Sequence, residues 1–170
     1  MIKEIRLDPV VASAIGIKHS VDAAIDFEKI AEEARVLQSS RTSRKLYKVA
    51  LEPTSLADAA MRDMSARSRL AELKATVSVH SMAIATALEK AGDHVSVRYA
   101  NEINLHATNA PDRKRLVNKI LSPLVDKLAE IASTMEVLET FLKDIDQSSY
   151  QLRNATELMK LIVERRVNTV

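Results

Sequence analysis

Hydrophobic positions recur along most of this chain in alternating steps of four and three, the period of α-helices that each bury one face. The longest run starts at Val117 and continues through Leu121, Leu124, Leu128, Ile131, Met135, Leu138, Leu142, Ile145, Ser149, Leu152, Thr156, Met159 and Val163, and twelve of these fourteen positions are apolar. The run predicts a helix over about 110–166, with Asn109 as N-cap and Asp112 in its electropositive first turn. Pro123 fits either as a first-turn residue of a helix restarting at Ser122 or as a kink in one continuous helix. A second stripe, Ala66, Leu70, Leu73, Val77, His80, Ile84, Ala87 and Ala91, predicts a helix over about 55–91. Thr54 or Ser55 would cap its start, and Gly92 would end it as a left-handed residue. A third stripe, Ala23, Phe27, Ile30, Ala34 and Leu37, predicts a helix over about 20–38 with Ser20 as N-cap.

The intervening segments read differently. Residues 1–19 are expected to form a loosely attached arm interrupted at Asp8-Pro9. The hydroxyl-rich, basic stretch from Ser39 to Lys48 is expected to be a loop. Between 95 and 106 the period falls to two, in VSVRY and again in INLH, which suggests a short β-hairpin or an extended connection. The expected fold class is therefore mainly α: a helical bundle with two long helices. The chain divides into 1–53 (arm, helix and basic loop) and 54–170 (a long helical hairpin or coiled-coil bundle forming one folding unit).

The residues flanking the last seam bear on assembly. Ile120, Lys127, Thr134, Phe141, Ser148, Ala155 and Ile162 lie on one side, and Asn118, Val125, Ala132, Glu139, Asp146, Arg153 and Lys160 on the other. Their partly apolar character widens the stripe beyond a two-stranded seam and favours a bundle of three or more helices. A helix over 110–166 would be roughly 85 Å long against about 55 Å for its partner over 55–91. Part of the seam would then need cover from a second copy or from a helical protein partner. The expected interface comprises Leu138, Leu142, Ile145, Ser149, Leu152, Thr156, Met159 and Val163, with Ser149 and Thr156 as the places where register or partner could be specified.

Composition narrows the class further. Two glycines and four prolines in 170 residues are too few for a sandwich, barrel or doubly wound sheet. Neither glycine has the companions that a phosphate-cradling loop requires, and with no cysteine there is no thiol nucleophile, disulfide or zinc ribbon. The four histidines are scattered, so no catalytic residue, metal ligand set, cofactor or small-molecule substrate is expected. His80 reads as a core histidine on its stripe. The absence of cysteine also suits a reducing compartment, so a cytoplasmic or, for a viral protein, virion-associated location is expected without membrane insertion. A net charge of +2 implies no polyanion partner for the whole molecule. The positive charge is nevertheless local. Arg35, Arg41, Arg44, Lys45 and Lys48 follow one another without an acid, and such a group could contact phosphate.

The order of a helical segment, LADAAMRDMSARSRLAEL, and a terminal helix ending in LRNATELMKLIVERR resembles the layout of phage recombination mediators of the UvsY type, which load recombinase onto single-stranded DNA. The first 50 residues have no counterpart in that layout, and the aromatic residues of that family's connecting loop are missing. The resemblance implies a nucleic-acid-binding accessory protein, for which the basic loop 35–48, read from its own charges, would supply the phosphate contact. The residues themselves point first to a non-enzymatic structural or adaptor protein, a component of a larger assembly, acting through its long C-terminal helix.

Overall fold

The structure is a computed structural model describing residues 2–41 and 52–167, with side chains through 165. Among the described residues there are seven helices and no strand. They are α1 (Ile2–Arg6), α2 (Pro9–Ala24), α3 (Phe27–Ser39), α4 (Pro53–Arg98), α5 (Ala100–His106), α6 (Ala110–Ile120) and α7 (Ser122–Val167). The chain forms two compact units: residues 1–27 with 76–135, and residues 28–75 with 136–170. Helices α4 and α7 contribute to both. No helix among the described residues is long and apolar enough to cross a membrane.

Five expectations change. The arm is helical, because Asp8-Pro9 starts a helix instead of ending one. Asp8 Oδ1 accepts the Val10 N–H at 2.9 Å and Pro9 occupies the first turn, where its missing N–H costs nothing. Ser20 accordingly lies inside α2, its hydroxyl donating to the Gly16 carbonyl at 3.2 Å, and the helix expected over 20–38 is divided at the extended residue Ile25. The β-hairpin is replaced by the end of α4 and by α5. Its period of two depended on Val97 and Leu105, which are 80% and 82% exposed. The residues that are buried, Ala91, Val95, Ile103 and Ala107, keep to a spacing of four. Gly92 is an interior helical residue with no positive φ. With α4 running on to Arg98 and the last helix divided at Leu121, the two long helices are each 46 residues, and the expected difference in length disappears.

In the first unit the break at Leu121 is closed by a distant arginine. Pro123 has no N–H for the Lys119 carbonyl, and the Leu124 N–H turns to Leu121 at 2.9 Å, which leaves the Ile120 carbonyl free. Arg6 supplies the missing donors, with Nε to Ile120 O at 2.8 Å and Nη2 to Lys119 O at 3.0 Å, and Nη2 also reaches Ser122 Oγ at 2.9 Å. The start of α2 is tied to α4 through Asp8, whose buried carboxylate accepts the Tyr99 hydroxyl at 2.9 Å and lies 3.0 Å from His94 Nε2. Burial opposes its charge, yet His94, the Val10 N–H and Tyr99 outweigh burial and hold the carboxyl at about 2. Lys127 of α7 is buried over the Phe27 ring and bonded to Asp22 at 2.8 Å and Glu130 at 2.9 Å. Burial alone would lower its pKa. The two carboxylates raise it instead, and Lys127, with Lys18, holds Asp22 below the usual carboxylate range.

In the second unit α4 and α7 run antiparallel. Lys74 pairs with Glu139 at 2.9 Å, Arg67 with Asp146 at 2.7 Å, and Leu56 and Ala59 pack with Leu152 and Ala155. Helix α3 lies against both of its neighbours, with Arg69 bonded to Glu33 at 2.6 Å and Gln38 bonded to Asp144.

Candidate docking site

The buried stripe of α7 is turned by one position from the seam that the spacing predicts. Leu124, Ile131, Leu138, Ile145 and Leu152, at steps of seven, are buried as expected. The companion row is Lys127, Thr134, Ser148 and Ala155, not Leu128, Met135, Leu142, Ser149 and Thr156. Polar groups can enter because each finds a partner. Thr134 Oγ1 donates to Glu130 O at 3.4 Å, Ser148 Oγ donates to Asp144 O at 2.8 Å, and the Lys127 ammonium reaches its two acids. The displaced row faces outward, half-buried at Leu128, Met135 and Leu142 and exposed at Ser149, Thr156 and Val163.

That outward row forms one wall of an apolar groove of about 660 Å³ within the second unit. Pro53, Leu56, Ala57, Ala60 and Met64 of α4 face Ser149, Leu152, Thr156, Met159 and Val163 of α7 across it, with Arg153, Lys160 and Glu164 along the rim. The small side chains Ala57 and Ala60 keep the floor open, and the Thr156 hydroxyl turns back to Leu152 O at 2.9 Å, leaving its methyl for the groove. Around this end Met61, Met64, Leu158, Leu161, Ile162 and Val163 are each more than half exposed. Met64 and Val163 belong to the groove lining, while Leu158, Leu161 and Ile162 lie on the other side of α7, as scattered apolar side chains normally do on a surface.

Arg41, just past the end of α3, joins α4 and α7 in a buried charge cluster. Arg41 and Asp63 have side chains 1% exposed and pair at 2.9 Å, and Arg41 Nη1 also reaches Asp144 at 3.0 Å and Gln38 Oε1 at 2.6 Å. Asp63 lies on the apolar stripe of α4, next to Met64 in sequence, so this cluster fixes where the last turn of α3 meets α4 and α7. Beyond it, among the described residues, the second unit continues with α4 and α7 alone.

Of the eight interface residues expected from sequence, Ser149, Leu152, Thr156, Met159 and Val163 line the groove, Leu138 and Ile145 are fully buried and Leu142 is half-buried. Of the five expected phosphate contacts, Arg41 is buried in the charge cluster and Arg35 pairs with Glu32 at 3.1 Å, while Arg44, Lys45 and Lys48 lie outside the described residues. His80 is half-buried, and Glu102 and His106 share one turn of α5 on its exposed side. Among the described residues no three metal-ligating side chains converge. The sequence reading missed the α4 wall of the groove and the acids that hold Arg41. Ala57, Ala60 and Met64 were visible only as small or flexible residues off the main stripe, whereas Asp63 three residues before Ala66 was a buried-polar signal within reach. Family models, curated protein sequences and solved structures compared with the chain return no match.

Proposed function

We propose that this is a non-enzymatic structural or adaptor protein whose work is helix-on-helix docking, in the first place with a second copy of itself, at the end of the second unit formed by residues 53–64 and 149–164. The observation that carries the reading is the groove. An apolar channel between two helices, lined by Leu56, Met64, Leu152, Met159 and Val163, has the chemistry of a bundle core lacking its remaining helices. Burial of such side chains is favourable at roughly 25 cal/mol per Å² removed from water, which makes association the direct means of covering them. A cytoplasmic or virion-associated setting belongs to the same reading, supported by a chain without cysteine.

The test is mass in solution across a concentration series, by sedimentation or light scattering. The unmodified chain is expected above monomer mass, and the double substitution Met64→Asp, Val163→Asp, at two exposed residues of the groove lining, is expected to return it to monomer mass with helix content unchanged. A chain that stays monomeric at high micromolar concentration would refute the reading.

A further inference from the structure

Charges along the groove rim select one arrangement of the copies. Helix α7 carries Arg153, Glu157, Lys160 and Glu164 in steps of four, three and four. Arg153, Lys160 and Glu164 line the groove, and Glu157 is bonded to Arg153 at 3.3 Å. The spacing reads the same in both directions, while the signs invert. Two copies of this segment laid antiparallel about a two-fold axis between Leu158 and Met159 set Arg153 against the partner's Glu164 and Glu157 against the partner's Lys160. Every cation then meets an acid. Parallel copies in register set each charge against its own kind, which is destabilising.

We infer that the groove is filled by a second copy of this chain, its α7 end antiparallel to the first, so that the paired α4 and α7 ends of two chains complete a four-helix bundle. The inference rests on the docking reading above and names its occupant and direction. A two-fold arrangement is isologous, so the groove supplies its own complement: Leu152, Met159 and Val163 of each copy are covered over the same length that they cover. The polar residues Ser149 and Thr156 lie among apolar neighbours in the groove, at positions where a small hydroxyl disfavours shifted registers.

The experiment combines charge reversal with cross-linking, which is clean because the chain has no native cysteine. R153E places an acid against the partner's Glu164 and is expected to weaken the dimer by about tenfold. R153E/E164R re-forms the pair with its sign reversed and is expected to restore the affinity to within about threefold. With a short bis-maleimide, R153C/E164C is expected to give a covalent dimer, as is an equimolar mixture of R153C and E164C, while neither single variant alone does so. Cross-linking of R153C to itself, or failure of the double reversal to restore affinity, overturns the antiparallel arrangement while leaving docking intact. A monomeric unmodified chain overturns both.

Discussion

Two rows of α7 obey the same seven-residue repeat and have opposite fates. Leu124, Ile131, Leu138, Ile145 and Leu152 are at most 4% exposed, whereas Leu128, Met135, Leu142, Ser149, Thr156 and Val163 progress from half-buried to open, with Val163 at 54%. The difference is one of neighbours. The first row packs within the fold along its whole length, while in the second unit the second row loses cover beyond the Arg41–Asp63–Asp144 cluster, where α3 has ended. A heptad pattern therefore identifies which face requires burial without identifying what buries it.

The comparison can be broken most severely in the buried row. Ile145→Asp places an unpaired charge where nothing is exposed, and loss of the helical signal or of cooperative unfolding is expected by circular dichroism. Arg41→Ala removes the cation that marks where cover ends and breaks its buried pair with Asp63, so a stability loss of about 3–5 kcal/mol is expected in urea unfolding. In the outer row and the wall that it faces, Val163→Asp with Met64→Asp is expected to leave the unfolding midpoint nearly unchanged while weakening association by tenfold or more, read as a fall in mass on dilution. Acid tests the polar members of the buried stripe. Asp22 has a lowered pKa because Lys127 holds it, so its contribution is present above the ordinary carboxylate value of about 4 and is lost as pH falls through its folded value. Lys127→Met should flatten that part of the acid-unfolding profile. The smallest effect is expected from Thr156→Leu, which should leave monomer stability within about 0.5 kcal/mol while broadening the distribution of assembled species in sedimentation.

The mainly α class was legible from the period alone, whereas the restart at Ser122 was one of two placements that Pro123 left open. Two of the missed features have physical reasons that local pattern does not carry. Asp8-Pro9 carries the same residues whether it breaks a chain or caps a helix, and the choice is made by Tyr99 and His94, 91 and 86 positions away, which no local pattern reports. The one-position turn of the α7 stripe arises because Lys127, Thr134 and Ser148 can be satisfied internally, so polarity did not exclude them from the interior. The groove was half legible. Its α7 wall follows from the repeat, but its α4 wall depends on Ala57 and Ala60, whose only signal is smallness, beside Leu56 and Met64.

Gly92 raises a simpler point about the first unit. A methyl group there would meet only Leu121 Cδ1, at 3.9 Å, and the backbone is ordinary helix, so Gly92→Ala is expected to stabilise the chain by about 1 kcal/mol, read as a rise in the thermal midpoint.

The Arg6 bridge sets a timetable for synthesis. Its guanidinium waits for carbonyls 113 and 114 residues downstream. At roughly 5–20 residues per second of elongation, the first helix emerges several seconds before its acceptors exist. During that interval the start of the chain has to remain free of other engagements, so a bulky fusion at the N-terminus should delay closure of the Leu121 break more than the same fusion at the other end.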